Sequence, residues 1–194
     1  MILSSFMIRR LSHSGSYTDC TIEKIIIEGF RSFGIELNRE EAIYMLTVCS
    51  KVELFLRGYF REKAIKTLID NGIEVDIFGD GWEDFFPCSE NGVQVFSSVS
   101  YREMADLMTE YQYVLNVMPW SKAGFHDRIA TAMLNGCICI SDSSTYIERE
   151  KLDREKMLVY QLGKEESMID TIKEYMSDSK KAEKISVAAT EYAI

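Results

Sequence analysis

The stretch Tyr113-Val114-Leu115-Asn116-Val117-Met118-Pro119-Trp120-Ser121-Lys122-Ala123-Gly124-Phe125-His126-Asp127-Arg128-Ile129 decides how the chain is read. Its first five residues form a short, β-prone apolar run, and Pro119 and Gly124 then interrupt regular structure. From Phe125 onward the apolar positions Phe125, Ile129, Ala132 and Met133 recur at helical spacing until Asn135-Gly136 stops them. Strand, loop and helix in that order make the unit of a parallel sheet with crossover helices.

The same alternation extends on both sides. β-rich runs fall at 73–78, 93–96, 137–140 and 158–161, with helical patterns between them. Ser100-Tyr101-Arg102-Glu103 is a capping box that opens a helix to about residue 111, Thr145-Tyr146-Ile147-Glu148 opens another, and two more helical patterns cover about 165–176 and 178–192. The expected fold class is therefore α/β: residues 73–194 form a Rossmann-like parallel sheet of about five strands flanked by helices. Ahead of it, Ile22, Ile25, Ile26, Phe30 and Phe33 give one helix that stops at Gly34. Asn38-Arg39-Glu40-Glu41 caps a second, whose stripe Ile43, Leu46, Cys49, Val52, Phe55 and Tyr59 reads as one long helix ending near Asp70-Asn71-Gly72. Gly58 is its weak point, because residues 52–56 also fit a strand. Residues 21–72 are thus a helical N-terminal extension, and residues 1–20, rich in Ser and Thr, a poorly ordered lead-in.

Composition narrows the function classes. With 22 Lys+Arg against 31 Asp+Glu in 194 residues, the formal charge of −9 repels nucleic acid and anionic lipid. Five cysteines, Cys20, Cys49, Cys88, Cys137 and Cys139, include no CxxC pair, so reduced thiols are expected and no metal site is read. Cys137 and Cys139 fit small buried hydrophobes. No apolar run reaches the roughly 18 residues of a membrane span, and the charges at Arg9-Arg10 follow the first apolar stretch, the reverse of a secretory signal. The expected location is the cytoplasm.

In open parallel sheets ligands sit beyond the carboxyl ends of the strands, against helix N-termini that favour anions. Three loops qualify. Gly79-Asp80-Gly81-Trp82 offers backbone access, a hydroxyl acceptor and a flat ring, and fits equally a tight turn with a packed Trp. The stretch 118–128 gathers Trp120, Lys122, His126 and Arg128 at one junction; a cation in a first helical turn opposes the dipole and so points to an anionic partner, the other reading being a surface His and an Arg paired to Asp127. Ser141-Asp142-Ser143-Ser144 fits helix capping slightly better than ligand binding. The pairs Glu165-Glu166 and Lys180-Lys181 read as solvated helix faces, and His13 lies apart from every motif.

At these residues the sequence resembles a known family. The run 114–120, then Gly124-x-His126-Asp127-Arg128, Ala132-Met133-Leu134-Asn135-Gly136 and Ser141-Asp142, with upstream Tyr59-Phe60-Arg61-Glu62-Lys63 and Gly79-Asp80-Gly81-Trp82, resembles the C-terminal domain of spore-maturation-protein-like group 1 glycosyltransferases over about residues 40–192. The resemblance implies the C-terminal half of a GT-B architecture, and a metal-independent glycosyltransferase that takes a sugar from a nucleoside-diphosphate sugar. It implies no other cofactor. By carry-over, Lys122, His126 and Arg128, with Arg61, contact the diphosphate or donor sugar, and Gly79, Asp80, Gly81, Trp82, Asn116, Ser141 and Asp142 line the cleft. It also implies a bacterial glycan or glycoprotein acceptor and an acceptor-binding N-terminal domain that this chain lacks, so that the catalytic residues stay unassigned.

The chain departs from better-known retaining relatives in one respect: the two glutamates spaced Glu-x7-Glu there fall on Ala123 and Thr131 here, so the stereochemistry does not carry over. Two other classes stay open, a different Rossmann-like enzyme such as a methyltransferase and a non-catalytic interaction domain. The first lacks an acidic residue ending the strand at 93–96, and the second leaves the cluster of Lys122, His126 and Arg128 unexplained.

Overall fold

The computed structural model describes residues 5, 7–10, 21–86, 92–120 and 122–194. Most of the lead-in read at 1–20 therefore lies outside the described residues, as do His13, Cys20 and Cys88; residues 7–10 are helical, and Met7 is buried in the main core. Helix α1 (Ile22–Ser32) is capped by Thr21, whose side chain accepts from the Lys24 amide, and it buries Ile22, Ile25, Ile26 and Gly29 on one face. That spacing is the expected stripe.

The single long helix expected next is two helices, α2 (Arg39–Val48) and α3 (Ser50–Asp70), joined at Cys49. Neither glycine nor proline marks the break, and the apolar stripe runs straight across it, so periodicity alone hid it. The Asn38 capping box is present in full: Asn38 Oδ1 accepts from the Glu40 and Glu41 amides at 2.9 and 3.0 Å, and Glu41 accepts from the Asn38 amide at 2.8 Å. Residues 52–56 are helical and Gly58 sits inside α3, because Leu56, Phe60, Ala64 and Leu68, four apart, bury the opposite face.

After α3 come β1 (Val75–Phe78), β2 (Val93–Phe96), α4 (Tyr101–Met108), β3 (Tyr113–Asn116), α5 (Asp127–Leu134), β4 (Ile138–Asp142), α6 (Thr145–Arg149), β5 (Leu158–Tyr160), α7 (Ser167–Ser177) and α8 (Ser179–Ala193). Every strand pairing is parallel. The one sheet of about five strands resolves, however, into a pair β1-β2 and a triple β3-β4-β5. At the seam side chains take the place of a ladder: Tyr111 donates to Asp76 on β1 at 2.7 Å, and Leu115 of β3 packs against the same small cluster as Ile77.

Central β4 is buried at all five positions, as a strand covered on both faces must be. Cys137 and Cys139 lie together in the cluster on one side of it, confirmed as packing residues, and burial pushes the Cys137 thiol up to about 11. On the other side, Phe60 and Leu68 of α3 share a core with Val117, Ile138 and Ile140, so α3 packs directly onto the sheet. It therefore carries side chains to the carboxyl edge of β3.

Candidate functional site

The site grows out of the residues that follow β3. Asp142, at the end of β4 and 0% exposed, accepts from the Met118 amide at 2.6 Å and pairs with the ammonium of Lys122, itself 2% exposed. Lys122 also donates to the Ser143 carbonyl at 3.1 Å. The loop after β4 then straps the loop after β3: Ser144 Oγ donates to the Gly124 carbonyl at 2.6 Å, and the Thr145 amide donates to the Lys122 carbonyl at 2.9 Å. Ser144 also caps α6 by accepting from the Ile147 amide. These bonds hold residues 118–126 in one path across the sheet edge.

This network relocates four expected site residues. Lys122, read as a phosphate-facing cation, has its charge matched by Asp142 beneath the surface. Asn116, Ser141 and Asp142, read as lining the cleft, are all 0% exposed. Asn116 donates to Ser141 Oγ at 2.9 Å and Ser141 donates to the Asp142 carbonyl at 3.0 Å, while Asn116 Oδ1 has no partner. They build the floor under the junction rather than its surface. Glu165 also departs from expectation: it is 1% exposed, accepts from the Gly163 amide at 2.7 Å and pairs with Lys63 of α3 at 2.6 Å, which fixes α3 to the loop after β5.

Above that floor the charges converge on Trp120. The guanidinium of Arg57 lies 3.9 Å from the centre of its ring and that of Arg61 5.6 Å, both within cation–π range. His126 meets the same indole edge-on, with ring centres 5.9 Å apart. Arg57 and Arg61 are four apart on α3 and so share a face, and that spacing is the signal by which the sequence could have added Arg57 to Arg61. Arg57 is paired with Glu53; among the described residues no ion pair reaches Arg61 or Arg128. Burial pulls the pKa of Arg61 below the usual value, and the neighbouring positive charges of Arg128 and Arg57 lower it further. Two uncompensated guanidinium groups held close together in a chain of net charge −9 are the marks of an anion site.

His126 is the N-cap of α5. Its Nδ1 accepts from the Arg128 amide at 3.2 Å. Asp127 Oδ1 accepts from the same amide at 2.8 Å and lies 2.8 Å from His126 Nδ1. The second amide of α5 is thus already shared between two side chains. Burial lowers the His126 pKa, Asp127 raises it, and Arg128, Arg61 and Arg57 lower it again, for a net fall below the ordinary imidazole value.

The loop after β1 is different in kind. Asp80 accepts from the Ser98 amide at 3.1 Å and from Ser98 Oγ at 2.7 Å, bonds that hold its carboxyl below the ordinary range. Trp82 stacks on Phe86 at 6.0 Å and joins the cluster of Ile65, Ile77 and Val93. Gly79 and Gly81 both have positive φ, 149° and 82°, as the turn requires. At the two positions where relatives have glutamates, Ala123 is exposed and Thr131 Oγ1 lies 3.0 Å from the Tyr101 hydroxyl. A groove of about 660 Å³ beyond β4 and β5 is lined by Glu148, Asp153 and Glu155 among others, a setting that repels phosphate.

Among the described residues, no helix is long and apolar enough to cross a membrane. No curated protein matches the chain. The structure is similar to that of HepE from Anabaena in complex with UDP-glucose, with 19% identity and a TM-score of 0.52 over 66% of this chain and 39% of that one. A second structure of HepE, in complex with UDP and glucose, has 20% identity and the same TM-score and coverage. The chain therefore spans about two fifths of the neighbour's length. The family model described as glycosyl transferase-like matches residues 57–193, a span that begins at Arg57, runs through Arg61, Trp120, His126 and Arg128, and ends within α8, and the chain belongs to that family.

Proposed function

We propose that this chain binds the diphosphate of a nucleoside-diphosphate sugar at the Arg57–Arg61–Trp120–His126–Arg128 cluster and serves as the donor-binding part of a glycosyltransferase. The observation that carries the reading is the pair Arg61 and Arg128, two guanidinium groups without a carboxylate partner among the described residues. Family membership and the UDP-sugar complexes of a structure with the same fold support it.

Each part of the cluster has a task in that reaction. Arg61 and Arg128 bind phosphate oxygens through charge-assisted hydrogen bonds, which strengthen as the glycosidic bond breaks and charge builds on the departing nucleoside diphosphate. The His126 ring offers an N–H as a further donor. Arg57, held between Glu53 and the Trp120 ring, keeps the indole in place and adds positive potential. The arginines supply the countercharge that other transferases draw from a resident metal. A glycan or glycoprotein is the acceptor class, bound by a domain outside this chain, and the chain works in the cytoplasm of a bacterium, where nucleotide-sugars are made.

Calorimetric titration with UDP, GDP, ADP, dTDP and S-adenosylmethionine tests the reading. One nucleoside diphosphate binds, and Arg128→Ala weakens it by the roughly 1.5–3 kcal/mol of a hydrogen bond to a charged group. Binding of S-adenosylmethionine alone assigns the chain to the methyltransferase class, and a folded chain that binds none of the five has no autonomous donor site.

A further inference from the structure

α2 is an anomaly in a chain with a sizeable core: a ten-residue helix with no buried residue. Its inner positions Ala42, Met45 and Leu46 are half-buried, Leu46 against the main core. Its outer positions Ile43, Tyr44 and Val48 are 58%, 68% and 51% exposed. At the 100° per residue of an α-helix, these three and Thr47 fall within an arc of about 140°, so they form one continuous apolar face rather than a scatter. Phe33, just past α1, and Leu54 and Phe55, in the first turns of α3, are exposed to a similar degree on the adjoining elements.

We propose that this face, carried by the end of α1, by α2 and by the start of α3, is a self-association surface that pairs with the same face of a second copy of the chain. Three features favour a copy of itself. The first is area. The exposed parts of the six side chains named amount to on the order of 700 Å², close to the roughly 800 Å² each partner contributes to a stable interface of standard size.

The second is charge. Arg31, Arg39 and Lys51 around the face are balanced by Glu36, Glu40 and Glu41, with Arg31 and Glu36 already paired at 3.4 Å. Two copies of a chain of net charge −9 thus meet where the local charge is nil, and like-on-like contact encounters no repulsion there.

The third is relief. Gly58 lies on the outer side of α3 next to Leu54 and Phe55, and a Cβ built on it meets nothing within 4 Å. Nothing inside the chain requires a glycine there, yet glycine is poor in a helix interior. It leaves a notch beside the exposed Leu54 and Phe55, and a two-fold contact needs projection and notch on one and the same patch. All of the exposed side chains named lie ahead of residue 57, where the family match begins.

Sedimentation of the whole chain between about 1 and 200 µM tests the proposal. A reversible dimer is expected, and Tyr44→Glu weakens it more than thirtyfold, as loss of a central aromatic anchor does. Gly58→Gln gives opposite signs in two readouts. It raises the thermal midpoint of the dilute monomer by about 2–4 °C, because it removes a helix-interior glycine, and it weakens association by filling the notch. Since it stabilises the fold, this variant decides the matter even where Tyr44→Glu fails to fold. A wild-type chain that stays monomeric throughout, or a dimer unmoved by both substitutions, overturns the proposal.

Discussion

Two loops at the carboxyl edges of the strands each carry a tryptophan, and they behave differently. Trp82, after β1, turns back onto Phe85, Phe86 and the small cluster under the β1-β2 pair. Trp120, after β3, is met by two guanidinium groups and an imidazole. The local sequences do not explain the contrast, since both have glycines nearby and both follow a short strand. The neighbours do: α3 delivers the guanidinium groups of Arg57 and Arg61 to the loop after β3, whereas to the loop after β1 it brings the apolar Ile65. A flat ring at a sheet edge acquires charged neighbours when a helix distant in sequence brings cations over it, and packs into the core when that helix brings aliphatic side chains.

The most damaging way to break the contrast is to remove the floor under Trp120. Lys122→Met leaves the carboxylate of Asp142 buried without its cation, and breaking such a pair costs about 3–5 kcal/mol. Urea unfolding should show that loss, and Lys122→Met with Asp142→Asn should recover a good part of it, because the neutral amide still accepts from the Met118 amide. Equal stability of the single and double variants would mean that the ion pair is not what holds the junction. Next in size are the cations above the floor. Arg61→Ala and Arg128→Ala should each weaken nucleotide-sugar binding by about 1.5–3 kcal/mol with little change in the unfolding midpoint. Trp82→Phe should move affinity by no more than about 0.5 kcal/mol. If the loop after β1 proved equally sensitive, the two loops would form one site and the contrast would fail.

Trp120 itself comes third. Trp120→Leu removes the ring under Arg57, an interaction worth about 0.5–2 kcal/mol, and affinity should fall by up to that amount as Arg57 loses its support. The two tryptophans of the chain make a direct optical comparison possible. In a Trp82→Phe background, emission from Trp120 should change on titration with the nucleotide that binds; in a Trp120→Phe background, emission from Trp82 should not. A response from Trp82 alone would place the ligand at the other loop.

Much of this arrangement is legible in the sequence. The strand-loop-helix reading of 113–134, the capping boxes at Asn38 and Ser100 and the stop at Gly136 all rest on contacts between residues near in sequence, and all are present. Three things resisted. The break at Cys49 carries no glycine or proline. The division of the sheet between β1 and β3 depends on pairing between distant strands. The role of Lys122 depends on a carboxylate 20 residues away, which turned a presumed phosphate ligand into a buried strut. The gathering of Trp120, His126 and Arg128 at one strand-to-helix junction was legible, because all three lie within nine residues of sequence. Arg57 was not, because its relevance comes from the packing of α3 over that edge.

The smallest effect, and the most specific to the Trp120 side, is a dependence on pH. In the free protein His126 lies below the ordinary imidazole value, driven by burial and by Arg128, Arg61 and Arg57. A bound diphosphate sets negative charge beside it, offsets those arginines and must raise its pKa. By linkage, a group whose pKa is higher in the complex than in the free protein makes binding tighter as pH falls through that interval. Affinity for a nucleotide-sugar, whose two diester phosphates do not titrate there, should therefore increase from pH 7.5 toward pH 5.5. Each unit of pKa rise is worth about 1.4 kcal/mol at the low end. His126→Gln should flatten the curve while Arg128→Ala merely lowers it, and the imidazole nitrogen resonances of His126 should titrate below 6.5 without ligand and higher with it. An affinity that falls with falling pH would mean that the anion binds away from His126, and the diphosphate would then have to sit on Arg61 alone.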